Sequence, residues 1–282
     1  MKVNFMIIGA MKSGTTSLSF HLSRHPEVCF CIDKEPDYFS RNENWKEGIS
    51  GYHSLFKPKP GQILGEASTM YTMRPDYMNT EQRIFEYNPE VKLIYIMRDP
   101  VDRIISHYAH NLARKRVGTD PEKEVFSRKS YIKRSLYHYQ IEPYLQRFQR
   151  ESLLLLTFEE FIKDPQKSLV TVSEFLGINA AFYRDQENFE TKNQSTNRKI
   201  LADNHLGVLL KPIKKYGHRY LPASVKEVLL QVFGNKLDAV PEFDEQLKVR
   251  LYKELAEDVQ AVEKLLGKNL TEWKNYSESY VQ

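Results

Sequence analysis

Short apolar segments alternate with amphipathic segments along the first two thirds of the chain. The apolar runs are typical of buried strands and lie at residues 3–8, 28–32, 62–66, 92–97 and 153–158. Segments with apolar residues at helical spacing predict helices at 16–24, 45–56, 80–88, 100–115, 132–149 and 166–176. Strands that alternate with helices predict an α/β fold, with a central, mainly parallel five-stranded sheet and helices on both faces.

The last third of the chain has a different pattern. Residues 180–200 are polar and are predicted to form a loop, whereas 223–233 and 243–266 carry apolar residues at three- and four-residue steps. We therefore predict a helical C-terminal part. A chain of 282 residues can bury a sizeable core as one unit, so we predict a single domain over residues 1–282.

Composition limits the partners and the cellular compartment that we expect for the protein. The net charge is only +4, which is too small to indicate nucleic-acid binding. The apolar run at residues 2–9 is too short for a signal peptide or a membrane span, so we expect a cytoplasmic protein. Cys29 and Cys31 lie two residues apart on a predicted strand, where the geometry is poor for a disulfide, and we expect buried free thiols in a reducing compartment.

The first apolar run ends at Gly9 and opens into a turn rich in hydrogen-bond donors. The turn and the start of the next helix contain Lys12, Ser13, Gly14, Thr15, Thr16 and Ser17. A helix N-terminus offers unpaired N–H groups and a partial positive charge, so such a turn attracts a phosphate-like anion. The order of glycine and lysine is inverted relative to the Walker loop of nucleotide kinases. An ordinary strand-to-helix turn capped by Ser13 or Thr15 is the alternative.

A second candidate anion site follows the strand at 92–97. Arg98 stands at the carboxyl end of this strand, where open α/β sheets bind ligands, and Pro100 suits the first residue of a helix. Ser106 lies about two turns into that helix. Arg98 and Ser106 can share one phosphate, which the arginine binds through its planar fork. A structural ion pair between Arg98 and Asp99 is the alternative.

Together the two segments resemble the sulfotransferases that use 3′-phosphoadenosine 5′-phosphosulfate (PAPS). Residues 12–18 resemble the P-loop-like 5′-phosphosulfate loop of that family, and residues 98–108 resemble its 3′-phosphate motif. Residues 34–39 look like the segment that carries the catalytic glutamate in heparan sulfate and related carbohydrate sulfotransferases. The same order continues through further segments, at 45–56, 65–68, 154–159, 164–165 and 175–178.

The resemblance implies transfer of the sulfuryl group from PAPS to an acceptor hydroxyl or amine, with a carbohydrate favoured. The product would be 3′-phosphoadenosine 5′-phosphate (PAP), and no metal is expected. Glu35 would be the general base, Lys12 would stabilise the leaving phosphate, and Lys34 would assist. Further cofactor contacts are expected from Tyr131 and from a late loop that contains Ser195, Arg198 and Lys199.

Two departures from the carbohydrate branch leave alternatives open. Ala67 stands after Glu66 where that branch usually has a lysine, and the late loop lacks a clear Lys-Gly-Arg sequence. A histidine base, as in cytosolic small-molecule sulfotransferases, would be His53, His107 or His110. Glu66 itself, at a predicted strand end, is a candidate for a catalytic or orienting role. A P-loop nucleotide kinase and an inactive binding module are more distant alternatives, and a Golgi location would require that an anchor had been removed.

Overall fold

The computed structural model describes residues 1–184, 200–201, 234–235, 241–273 and 276. Five strands form one sheet: β1 (Phe5–Gly9), β2 (Val28–Phe30), β3 (Ile63–Ala67), β4 (Lys92–Met97) and β5 (Leu153–Thr157). Their order is β2-β3-β1-β4-β5, and every pair is parallel. The predicted strands are confirmed to within two residues at each end, because strands buried on both faces are nearly continuous apolar runs.

Helices connect the strands and cover both faces of the sheet. In chain order they are α1 (Thr15–Leu22), α2 (Tyr38–Arg41), α3 (Ile49–His53), α4 (Thr80–Tyr87), α5 (Pro100–Ala113), α6 (Pro121–Ser127), α7 (Ser130–Lys133), α8 (Tyr137–Leu145), α9 (Phe158–Lys163), α10 (Pro165–Leu176), α11 (Ala181–Arg184) and α12 (Glu245–Leu266). Single 3-10 turns lie at Thr69–Thr72 and Arg150–Ser152. The short strands β6 (Ile200–Leu201) and β7 (Gly234–Asn235) pair antiparallel.

The alternation of side chains along β1 and β4 builds two separate cores. Met6 and Tyr95 point to the larger cluster, which packs against α5, α8 and α12. Ile7 and Ile94 point to the opposite cluster, which packs against α1, α9 and α10. This arrangement confirms the prediction of helices on both faces.

Several predicted helices differ from those in the structure. Only Ile49–His53 of the predicted helix 45–56 is helical. Trp45 and Phe56 are buried in the core but lie outside this helix. The predicted helix 132–149 is divided into α7 and α8. The break lies at Ser135, whose hydroxyl is fully buried and accepts a hydrogen bond from Arg103 Nε at 2.6 Å, so a tertiary contact ends the helix.

Other differences lie in loops and at the C-terminus. Helix α6 was not predicted, although Asp120 caps it and Pro121 is its first residue, which is a recognisable helix start. Helix α11 lies in the predicted loop 180–200, and the β6–β7 pair lies in the predicted helical part. Helix α12 confirms the prediction at 243–266, and the predicted helix 223–233 lies outside the described residues.

The state of the two cysteines was predicted from their spacing. Cys29 and Cys31 are buried free thiols, as expected. Burial raises the pKa of Cys31 to about 12, with Glu66 adding to the effect, so this thiol is a poor nucleophile.

Within the described residues, no helix has the length and apolar character needed to cross a membrane.

Candidate active site at the carboxyl ends of the strands

The sheet topology gathers three loops at one edge. The chain leaves β1 toward β2 and β3 on one side and continues to β4 on the other, so β1 is flanked by β3 and β4. A crevice opens at the carboxyl ends of strands where the winding changes direction in this way. The loop after β1, the residues after β3 and Arg98 after β4 therefore meet there.

The loop between β1 and α1 is built to expose backbone N–H groups. Lys12 and Gly14 both have left-handed φ angles, of 75° and 91°. Gly14 is the N-cap of α1, and no side chain caps this helix. The N–H groups of Thr15 and Thr16 in the first turn are thus available to an anion, because helix geometry provides them with no partner, whereas the N–H of Ser17 donates to the Gly14 carbonyl at 2.9 Å.

Gly14 is also required by packing. A Cβ atom at this position would lie 2.7 Å from Cδ2 of Phe158, the first residue of α9. The ring of Phe158 in turn lies under the guanidinium of Arg98, with 5.2 Å between Arg98 Cζ and the ring centroid. One aromatic ring therefore links the loop after β1 to the arginine after β4.

Two buried polar atoms at this site lack well-aligned hydrogen-bond partners among the described residues. Ser13 is fully buried, and its Oγ is one of them, although it lies close enough to the Tyr137 hydroxyl to lower the pKa of that group. Arg98 Nε is the other. An unsatisfied buried donor costs about 1–3 kcal/mol, and a bound anion would remove that cost at both atoms. The residues present thus fit an anionic ligand.

Arg98 is held in place by its neighbours. Its carbonyl oxygen accepts a hydrogen bond from the Tyr137 hydroxyl at 2.7 Å, and its side chain pairs with Asp102 at 3.0 Å. The alternative ion pair with Asp99 does not form. Asp99 instead caps α5 by accepting from the backbone N–H of Asp102 at 2.9 Å, and burial raises its pKa to about 7. Ser106, half-buried, lies one turn beyond Asp102 on the same helix face.

The segment after β2 carries the predicted base. The side chains of Lys34 and Glu35 are 58% and 39% exposed, and their charged atoms lie 3.8 Å apart. Asp37, two residues later, is almost fully buried and pairs with Arg41 at 3.2 Å. Burial raises the pKa of Asp37 to about 6, while Arg41 acts in the opposite direction. The predicted base is therefore open to solvent, whereas its neighbouring carboxylate is enclosed.

Glu66 fixes the Glu35 segment to the sheet. Its carboxylate is fully buried at the end of β3 and accepts hydrogen bonds from Tyr52 at 2.8 Å, Tyr71 at 2.6 Å and Ser68 at 2.6 Å. The Ser68 hydroxyl in turn accepts from the backbone N–H of Asp37 at 2.9 Å. Burial raises the pKa of Glu66 to about 7, and the three hydroxyl donors oppose this rise. Glu66 thus has an orienting position and is closed to an acceptor.

The family model described as Sulfotransferase domain matches residues 2–206. The chain belongs to the sulfotransferase family. This match confirms the resemblance of its two loop motifs. In a solved structure, the sulfotransferase from Alicyclobacillus acidocaldarius, the same fold recurs with a TM-score of 0.69 and 25% identity, over 97% of this chain and 99% of the other.

Two curated relatives are similar over part of this sulfotransferase. The membrane-associated sulfotransferase kil1 of Dictyostelium discoideum is 38% identical over 109 residues, which is 37% of this chain and 22% of the relative. Mouse heparan sulfate glucosamine 3-O-sulfotransferase 3B1 is 31% identical over 185 residues, which is 61% of this chain and 45% of the relative. The matched region spans less than half the length of either relative.

The alternative histidine bases lie in packed surroundings in this sulfotransferase. His107 is buried against the ring of Tyr131, 4.5 Å between centroids, and burial together with nearby Arg103 lowers its pKa to about 2. Nε2 of His53 lies 2.9 Å from the Tyr87 hydroxyl, and burial lowers the pKa of His53. The pKa of His107 is therefore far below physiological pH, and that of His53 is shifted in the same direction. His110 is half-buried on α5.

The remaining predicted cofactor residues have different outcomes. Tyr131 is fully buried between α5 and α7, and its hydroxyl accepts a hydrogen bond from Asn111 at 2.8 Å. Its contact with a cofactor stays a prediction. Ser195, Arg198 and Lys199 lie outside the described residues. Ala67, where the carbohydrate branch usually has a lysine, pairs in register with Ile7 and is buried in the cluster under α1.

Sequence reasoning missed the residues that support the site. Phe158 and Tyr137 are distant from Arg98 in sequence but contact it, and Asp102 forms its ion pair. The only signal in the sequence was the four-residue spacing between Arg98 and Asp102, which favours an ion pair at a helix start.

Proposed function

We propose that this protein transfers the sulfuryl group of PAPS to a hydroxyl or amine of an acceptor, with a carbohydrate as the favoured class. The observation that carries the proposal is a pair of buried donors, Ser13 Oγ and Arg98 Nε, which lack well-aligned partners among the described residues and belong to the loop before α1 and to the end of β4. Membership of the sulfotransferase family supports it. The relatives named for heparan sulfate support a carbohydrate acceptor.

The loop after β1 would hold the 5′-phosphosulfate. In sulfuryl transfer the bond between sulfur and the bridging oxygen breaks, and negative charge develops on the leaving phosphate. The backbone N–H groups of Thr15 and Thr16 and the ammonium group of Lys12 are donors that can stabilise this charge. Arg98, which pairs with Asp102 in the first turn of α5, and Ser106, one turn beyond Asp102, would hold the 3′-phosphate.

Glu35 would accept the proton that the acceptor loses. Its side chain is 39% exposed, whereas Glu66 is enclosed by three hydroxyl groups. The hydrogen bond between Ser68 and the backbone of Asp37 holds the Glu35 segment against the sheet. Positioning of this kind is what general base catalysis requires.

Calorimetry with PAP and with adenosine 5′-monophosphate tests the assignment of the nucleotide site. We expect PAP to bind more tightly, because only PAP carries a 3′-phosphate. Arg98→Ala should lose most of this preference; for a side chain that is 25% exposed, we take the low end of the range for a lost charged contact, about 2 kcal/mol or roughly thirtyfold.

Arg184→Ala is the matched control, since Arg184 is also an arginine in an ion pair, with Glu174 at 3.0 Å, but on the exposed surface of α11. It should leave both affinities unchanged. Equal binding of the two nucleotides by the wild-type protein would show that Arg98 and Ser106 do not hold a 3′-phosphate.

A further inference from the structure

A polar cleft of about 1210 Å³ opens beside the segment that carries Glu35. One wall is formed by α2 and the residues that follow it, and the other by residues 76–79 and Arg83. Tyr38, the first residue of α2, lines the cleft and is only three residues from Glu35. Three residues of chain span at most about 11 Å, so the backbone of the proposed base lies within that distance of a residue that lines the cleft.

The positive charges in the cleft are already engaged. Arg41 pairs with Asp37, whose side chain is only 5% exposed, so withdrawing the arginine would leave a buried carboxylate unpaired. Arg83 donates from Nε to the Phe39 carbonyl at 2.5 Å and from Nη2 to the Met78 carbonyl at 2.8 Å. Each arginine thus already uses part of its five N–H donors within the protein.

The negative charges are more available. Asp76 pairs with Arg134 at 2.6 Å. Glu43 and Glu47 are exposed and form no ion pair with any other described residue. The described lining therefore has two arginines against three carboxylates, and two of those carboxylates are uncompensated.

The other lining groups suit sugar hydroxyls. Asn44 and Asn79 bring exposed amide groups that both donate and accept hydrogen bonds. Tyr77 is half-buried, and Met78 is 46% exposed, so both offer apolar surface to a ring. Carboxylates and amides placed around such surface can form hydrogen bonds with the hydroxyl groups of a ligand.

We infer that this cleft binds the acceptor, and that the acceptor is a saccharide without anionic groups. The inference rests on the proposed function. A saccharide that carries carboxylates or sulfates would place like charges beside Glu43 and Glu47, and like charges in close approach oppose binding. A neutral or amino-bearing saccharide meets no such opposition.

The test measures transfer of label from PAPS to two oligosaccharides of equal length, at several salt concentrations. One is a neutral chito-oligosaccharide and the other is heparosan, which carries a carboxylate on every second sugar. We expect a higher kcat/KM for the neutral acceptor, with a KM that is insensitive to salt. The KM for heparosan should fall as salt rises, because salt screens repulsion.

The variant Glu43→Gln with Glu47→Gln locates the effect. It should raise kcat/KM for heparosan by roughly three- to tenfold and leave the neutral acceptor nearly unchanged. The matched control is Glu254→Gln with Glu257→Gln, which removes two exposed carboxylates from α12, away from the cleft, and should change neither acceptor.

Several outcomes overturn the inference. They are a preference for heparosan, a heparosan KM that rises with salt, equal effects of the two double variants, and transfer to phenols or simple alcohols but to neither saccharide. The last outcome leaves the proposed function intact. Absence of PAP binding and of transfer to any acceptor would instead contradict the proposed function itself.

Discussion

Replacement of Gly14 by alanine tests the geometry of the proposed anion loop. Gly14 has a φ of 91°, and a side chain in left-handed backbone costs about 1–2 kcal/mol. The new Cβ would also lie 2.7 Å from Cδ2 and 3.0 Å from Cε2 of Phe158. Forced overpacking of this kind costs about 1–3 kcal/mol, so the free energy of unfolding should fall by about 2–5 kcal/mol in total.

The same substitution should weaken PAP binding. To relieve the contact, the Phe158 ring must move, and this ring supports the guanidinium of Arg98. The first-turn N–H groups of α1 would move with the strained residue. We expect calorimetry to show at least about tenfold weaker binding of PAP, equivalent to about 1.4 kcal/mol.

Gly177→Ala separates the effect of backbone strain from the effect of the contact with Phe158. Gly177 ends α10 with a φ of 76°, but a Cβ there meets nothing within 4 Å. In urea unfolding, Gly177→Ala should lower the free energy of unfolding only by the backbone strain, and it should leave the PAP affinity unchanged. If Gly14→Ala and Gly177→Ala lose the same stability and bind PAP equally well, the close packing of Phe158 on the loop has no functional role.

Two further predictions concern charge. Lys12→Ala should lower kcat far more than it weakens PAP binding, because its charge matters most as the leaving oxygen becomes negative; equal losses in both would contradict this role. For Glu66, burial raises the pKa from 4.5 to about 7, so the folded protein binds more protons than the unfolded chain in this window and stability falls as pH rises through it. Glu66→Gln should make the slope of unfolding free energy against pH shallower between these values, and an unchanged slope would show that Glu66 is not the group that titrates.

The sheet was predictable because its signals are local. Parallel strands buried on both faces require continuous apolar runs, and β4 and β5 are found where the runs at 92–97 and 153–158 occur. Helix ends were less predictable. The break between α7 and α8 depends on the contact between Ser135 and Arg103, which are 32 residues apart.

The candidate site also has parts that the sequence predicts and parts that it does not. The loop at Lys12–Ser17 and the positions of Arg98 and Ser106 follow from motifs that are continuous in sequence. The contacts of Phe158 with both loops, and the three hydroxyl groups around Glu66, join residues from separate connections of the fold. No local pattern encodes these contacts, since they depend on strand order and on the packing of α9 against the sheet.

The surroundings of the histidines could be predicted only in part. His107 is next to Ser106, so its side chain is expected on a different side of the helix from the phosphate contact, but the sequence left it open as a candidate base. In the structure it points into the core against Tyr131, where burial and Arg103 hold it neutral. A helix places neighbouring residues about 100° apart, and only the packing decides which of the two faces the site.

The most direct test of the account is transfer of label from PAPS to acceptors by the wild-type protein and by Glu35→Gln. Glutamine keeps the shape of the side chain but cannot accept a proton at neutral pH. We expect label transfer by the wild type, near-normal PAP affinity in the variant, and a loss of turnover of about 10²–10⁴-fold. His53→Asn and His107→Asn should be milder. The account is contradicted if the wild type transfers no label from PAPS, or if Glu35→Gln keeps more than about a tenth of the turnover while a histidine variant is inactive.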